Sequence, residues 1–372
     1  MQKVSFDHAP QDGFYKLLVE KIDAYFKTNN ISRKANWVFA VKIISYFLID
    51  LFIYLMILSG RFDGINLVLL FILFGIFNSI FIFSVAHDAS HNAISNRHRV
   101  NNLLTYVWNA AGVSSYFWAL KHNVAHHSFT NIPGKDDDID QSKLVRLNPN
   151  SPRRWFHRYQ HIYVPFLYSL LSINIIYVKD FNLLLQHTFG NKIIGKHPSK
   201  EIWILIATKV IYIGYMILLP KYMLGISWAE IFACHIVMHL ATGLYIGFIL
   251  VPVHVTGESE YRLPDASGKV HSDWGTHQME ATVDFEAGNY FINWITGGLN
   301  THVVHHLFPT VNHIHYYRLT KIVKQVALEN DFPYRNYSLI KIFKEHLYFL
   351  KQLGRINNPT HNTQFDVKAA VS

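Results

Sequence analysis

Four stretches of the chain are apolar for long enough to cross a bilayer, which takes about 20 helical residues. They run over about 37–58, 65–86, 202–219 and 227–252, and the second is 22 residues without a charge. The first carries Lys42 and Asp50 and the third Lys209. Charges at such places reach the interface or face protein. Only "SGRFDG" joins the first pair and "PKYMLGIS" the second, which predicts two helical hairpins. Two shorter apolar stretches, 103–120 and 161–178, are interrupted by Gly112 and Pro165, and their length predicts helices lying in the interface.

Histidines collect beside these stretches. "HDASH" follows the second span with His87 and His91, "HNVAHH" holds His122, His126 and His127, and "HVVHH" holds His302, His305 and His306. For the three clusters to share one side of a membrane, an even number of spans must separate them, which two crossings between residues 202 and 252 satisfy. Basic residues agree with that side being cytoplasmic. Six Lys or Arg precede residue 36, thirteen lie between 88 and 200 and eleven follow Pro252, while Arg61 and Lys221 stand alone in the two turns. The predicted fold is all-α and integral to the membrane, with four transmembrane helices in two hairpins and a cytoplasmic cap carrying three histidine boxes. Its expected parts are a cytoplasmic N-terminal segment (1–35), a membrane domain (36–330) and a cytoplasmic tail (331–372).

Composition narrows the class. Half of the residues are hydrophobic, 16% are charged and the net charge is +9. No basic stripe with interleaved aromatics accompanies that excess, so no nucleic-acid partner is expected. Cys234 is the single cysteine, which excludes a disulfide framework and any cysteine-rich metal site. The first 27 residues contain no apolar core of signal-peptide length, so the spans themselves direct insertion.

One pair of histidines spaced i, i+4 is a weak metal signal. Three clusters on one side of a membrane say more, because buried neutral imidazoles each need a partner. Eight imidazole nitrogens exceed what one ion uses, which predicts two metal ions. Imidazole alone does not choose among iron, zinc, copper and nickel.

"HDASHN", "HNVAHHSFTNIPGKDDDID", "QHIYVPFLYSLL", "HQMEATVDF" and "GGLNTHVVHHLFPTVNHIHY" together resemble the membrane-bound fatty acid desaturases, in particular the bacterial acyl-CoA or acyl-lipid branch similar to front-end desaturases. The resemblance runs from about residue 36 to 330. It implies a non-haem di-iron centre, dioxygen as oxidant, a kinked acyl tunnel and a cis double bond placed in an acyl-CoA or acyl-lipid substrate. The implied iron ligands are His87, His91, His122, His126, His127, His302, His305 and His306. A ninth ligand comes from the cytoplasmic end of the fourth span, where this chain has His254, and His277 is its rival. Front-end relatives often carry glutamine where this chain has His302. Many also carry a fused haem domain. The roughly 35 residues before the first span are too few for one and contain no "HPGG", so a separate ferredoxin or cytochrome with its reductase is expected as electron donor. The expected location is the bacterial cytoplasmic membrane, with boxes and both termini cytoplasmic.

Other histidines read as structural. His235 and His239 lie inside the fourth span, and the fifteen residues from His239 to His254 are about 22 Å of helix, so they are expected to pack or hydrogen-bond within the bundle, with lining of an acyl tunnel as the alternative. His313 and His315 are expected to fix the turn after the third box. His98, His157, His161, His187 and His271 are expected to face solvent or make ordinary bonds, and "KDDDID" to be a solvated loop, with orientation of a ligand histidine or of the fold around the second box as the alternative its family likeness implies. A histidine-box hydroxylase or monooxygenase is the nearest alternative reading, and a metal transporter or a non-enzymatic membrane protein the more distant ones.

Overall fold

A computed structural model describes residues 2–8, 13–140 and 142–356; residues 357–372 of the expected tail lie outside the described residues. The described chain is mostly helical. Its helices are α1 (Phe14–Thr28), α2 (Trp37–Leu58), α3 (Gly64–Ser90), α4 (His98–Ala110), α5 (Ser115–Ala119, widening into Leu120–His126), α6 (Trp155–Ser169), α7 (Leu171–Leu185), α8 (Ser199–Leu224), α9 (Trp228–Leu250), α10 (Trp274–Ala281), α11 (Tyr290–Ile295), α12 (His302–Leu307), α13 (Tyr316–Glu329) and α14 (Leu339–Leu353). Short strand pairs join distant segments: Ser5–Asp7 runs parallel to Lys269–Asp273, and Asp284–Phe285 parallel to Asn336–Tyr337.

Four helices, α2, α3, α8 and α9, are long and apolar enough to span a membrane. Their ends carry ordinary helix signals. The Asn36 side chain accepts from the N–H groups of Val38 and Phe39 at the start of α2, and Ser227 with Glu230 forms a reciprocal capping box on α9. Gly225, at φ 65°, closes α8 in the left-handed conformation that glycine adopts without strain. α8 extends beyond the expected 202–219 at both ends, and past Pro220 because that residue sits at the start of the last α-helical turns, Leu219–Leu224, where it is tolerated; within it Gly214–Leu218 is wound one residue wider than an α-helix.

The charges inside the spans face protein. Lys42 Nζ lies 2.6 Å from His313 Nε2, Asn78 donates to Asp50 at 2.7 Å, and Lys209 pairs with Asp180 at 2.6 Å. α9 packs on α3, α3 on α2, and α6 and α7 lean on α9. The contact of α9 with α6 is close enough that a Cβ at Gly243 would stand 2.2 Å from the carbonyl oxygen of Ser169. α6 and α7 meet at a 59° bend and together are apolar enough to count as one broken span. A second core, built from Leu18, Ile22 and Phe26 of α1 and Leu319, Val323 and Val326 of α13, holds α12 from the other side.

Candidate metal centre

Three elements present histidines at the same level. The last turns of α3 (Phe83–His87) and of α5 (Leu120–His126) are both π-helical, and such widened turns often mark functional sites because they re-aim side chains. α12 contributes His302, His305 and His306 one turn apart, with Asp284 accepting the Val303 N–H at 2.8 Å and holding its first turn.

The imidazoles converge in two groups. His87, His91, His122 and His305 bring ligand atoms within 4.8 Å of one another, and so do His126, His254, His302 and His306. His127 stands between them, forming a third group with His305 and His306. Facing Nε2 atoms are 3.1 Å apart for His87 and His122, 2.7 Å for His254 and His302, and 3.2 Å for His302 and His306. All nine are buried. The Nε2 atoms of His91 and His305 are sealed from solvent with no hydrogen-bond partner. A buried orphan nitrogen is costly unless something binds it. A transition-metal ion suits all of these observations, and the donor set is imidazole throughout.

Electrostatics keep the imidazoles in the form a metal needs. Burial, reinforced by neighbouring imidazoles, holds His91, His122, His127, His254, His302, His305 and His306 well below the ordinary histidine value. Neutral imidazole is the ligand form. His126 differs. Burial acts against its charge, but Asp136 and Asp138 outweigh burial and raise its pKa.

These carboxylates overturn the solvated-loop reading of "KDDDID" and agree with its alternative, a run that orients a ligand histidine. Asp136 is buried, with its two oxygens 3.1 and 3.0 Å from His126 Nδ1, and it also accepts the N–H of Asn131 at 2.8 Å. Gln278 Oε1 similarly lies 2.8 Å from His306 Nδ1, and Tyr316 Oη 3.4 Å from His305 Nδ1. Such partners fix the ring orientation of a ligating histidine. The family likeness of "KDDDID" already admitted this role for Asp136, whereas Gln278 lies within "HQMEATVDF", where no spacing pattern marks it.

His277 stands outside both groups. Its Nε2 lies 2.7 Å from the Thr130 carbonyl and its ring packs on Phe6, while burial brings its pKa down to about 4. His254, just beyond the end of α9, reaches the second group. His313 does more than fix a turn, because it joins Asp88, at 2.8 Å, to Lys42. His157 is buried rather than solvent-facing, and its Nδ1 accepts the Arg154 N–H at the start of α6. His235 and His239 hydrogen-bond within the bundle, to Tyr177 at 2.7 Å and to Ser172 at 2.8 Å.

A cavity of about 410 Å³ opens against five of the histidines, His87, His122, His126, His254 and His302. Seven leucines, one each from α6, α7 and α9 and four from the segments that connect helices, make much of its wall, while Lys121, Asp138 and Lys179 form one polar side. Phe83, Trp118, Ile175 and Ile246 also line a second, narrower chamber of about 60 Å³ between α3 and α9 that reaches His239 and Thr242.

Similarity to known proteins agrees with this geometry. A family model described as Fatty acid desaturase matches residues 65–338. The chain is 30% identical to an acyl-lipid (8-3)-desaturase of Physcomitrium patens, over 94% of this chain and 74% of that protein. It is 31% identical to an sn-1 linoleoyl-lipid 6-desaturase of Synechocystis, over 88% and 92%, and 32% identical to a protein of the same description in Arthrospira platensis, over 85% and 86%. With four candidate spans, buried histidine groups suited to metal, and a family match across most of its length, the chain belongs to the fatty acid desaturase family and is an enzyme that desaturates fatty acids.

Proposed function

We propose that the protein is an acyl-lipid desaturase with a di-iron centre. The observation that carries this reading is the opening of two groups of buried histidines onto one leucine-lined cavity. His87, His91, His122 and His305 would hold one iron, His126, His254, His302 and His306 the other, and His127 lies where it can serve either. His277 is assigned to the surrounding support. Bound there, iron supplies the dioxygen chemistry that removes two hydrogens from adjacent methylenes. The balance is one O2, two electrons and two protons consumed, one alkene and two waters formed.

The chain's own residues bind and position. Phe83, Trp118, Ile175 and Ile246 form an apolar neck that holds a methylene run and excludes water, and the chamber beyond receives the methyl end. Lys121 and Lys179 are the only lysines among the residues lining the cavity and would face the ester end of the acyl chain. Asp138 pairs with Lys121 and stands 3.5 Å from His126 Nδ1, so that end lies near the metal centre. An acyl-lipid substrate is favoured over acyl-CoA by the relatives' names and by the leucine wall, which suits entry from a bilayer.

The four spans are read as two hairpins beneath a cytoplasmic cap, in the membrane domain of residues 36–330, with both termini cytoplasmic and a bacterial cytoplasmic membrane as the location. A separate ferredoxin or cytochrome with its reductase supplies the electrons. Fatty acid profiling of a host expressing the protein tests the function. A new cis double bond in host lipids is expected; a hydroxylated product, or no change with the protein present and iron-loaded, overturns it.

A further inference from the structure

A second, unrelated pocket lies where the start of α6 crosses the end of α14. It is an open cavity of about 510 Å³ lined by Arg153, Arg158, Tyr159, His161, Ile162, Lys351 and Arg355, with no acidic residue among them. The crossing is built tightly: a Cβ at Gly354 would stand 2.1 Å from the His157 carbonyl oxygen, so the backbones approach as only glycine permits. Arg153 apart, the cations are not there to complete the end of α14. Arg146, buried beneath, already donates to the carbonyls of Leu353 and Ile356 at 2.7 and 2.9 Å. Arg153 Nε donates to the Gly354 carbonyl, which holds that side chain at the crossing. His161 Nδ1 is sealed from solvent without a hydrogen-bond partner among the described residues.

An apolar stripe adjoins the basic pocket. Tyr159, Ile162 and Phe166 follow i, i+3, i+7 spacing along α6, Trp155 stands in the tighter 3-10 turn that begins it, and the four are 47%, 68%, 64% and 76% exposed. Positive charge beside an exposed aromatic and aliphatic face is the composition of a helix lying in the headgroup region. We infer that the pocket between α6 and α14 binds the phosphate headgroup of an anionic membrane phospholipid, whose acyl chains lie along the Trp155 to Phe166 stripe. The occupied pocket anchors the first half of the bent α6–α7 pair at headgroup depth. This separates it from the substrate cavity, whose α6 lining comes from Leu167 and Tyr168.

The test is native mass spectrometry of the full-length protein in detergent, supplied with phosphatidylglycerol or phosphatidylcholine. The wild type is expected to retain one phosphatidylglycerol that millimolar inorganic phosphate does not displace. Arg158→Glu with Arg355→Glu should lower that retention at least tenfold, since each basic group adds several-fold to anionic-lipid binding. The milder Arg158→Gln with Arg355→Gln should give a smaller loss in the same direction, and serves if the charge-reversed protein fails to fold. Equal retention of phosphatidylcholine by the wild type, displacement by inorganic phosphate, or unchanged phosphatidylglycerol retention in both double variants overturns the inference. So does unchanged retention with a loss of ferredoxin-driven turnover, which would assign the patch to an acidic protein instead.

Discussion

Asp136 offers a sharp perturbation of the centre that leaves all nine histidines in place. Its carboxylate is buried and accepts from the Asn131 and Asp138 N–H groups while facing His126 Nδ1 with both oxygens. Asp136→Asn keeps the shape but turns one oxygen into a donor. At least one N–H of the surrounding set then faces another N–H, and a buried unsatisfied group costs about 1–3 kcal/mol. His126 also loses the carboxylate that fixes its ring, and such losses lower metal affinity or activity about 10–100-fold. The assay is iron content and turnover of detergent-purified protein at equal expression. Asp137→Asn is the control, since half-buried Asp137 is hydrogen-bonded by Gln186, a bond the asparagine oxygen can still accept, rather than by a histidine, and it should stay within about twofold of wild type. Wild-type iron and turnover in Asp136→Asn would refute the claim that this carboxylate supports the centre.

Three further outcomes follow from the same geometry. His254→Ala should lose iron and turnover together, whereas His277→Ala should keep most of its iron with activity down about 10–100-fold; the reverse pattern in elemental analysis would exchange their roles. His346 is buried, bonded to Tyr168 and to the Val255 carbonyl, and burial brings its pKa down to about 4. A histidine held neutral by folding stabilises fully above about pH 6.5 and progressively less as pH falls towards 4, a loss on the order of 3 kcal/mol. Thermal unfolding in detergent should therefore drop across that range, and less steeply in His346→Gln. Gly243→Ala should destabilise by about 1–3 kcal/mol because its methyl group would meet α6 backbone rather than a side chain that can turn away; an unchanged melting temperature would mean that α6 and α9 slide apart freely.

What the sequence made legible was what repeats or persists locally. Span positions follow from long apolar runs, and the boxes from histidine spacing within a few residues. The contributions that were hidden act across the chain. That Lys42 faces protein accords with a charge inside a span, but its partner, His313, is 271 residues on. The "KDDDID" run reads as solvated by composition, yet the turn after α5 folds Asp136 back under His126, ten residues away. The distinction between His254 and His277 depended on whether α10 delivers its histidine to the centre or to the Thr130 carbonyl, which no local pattern encodes. Widened turns were equally invisible, because a π-turn differs from an α-turn by one residue of register and carries no fixed composition.

The central claim is that two histidine groups hold two irons. Elemental analysis of the purified wild type, expressed with iron and without added zinc, tests it most directly. About two irons per chain are predicted, falling when His305, which belongs to the first group and adjoins the second through His127 and His306, is replaced by alanine. One metal per chain, or zinc in place of iron in an active preparation, would contradict the account.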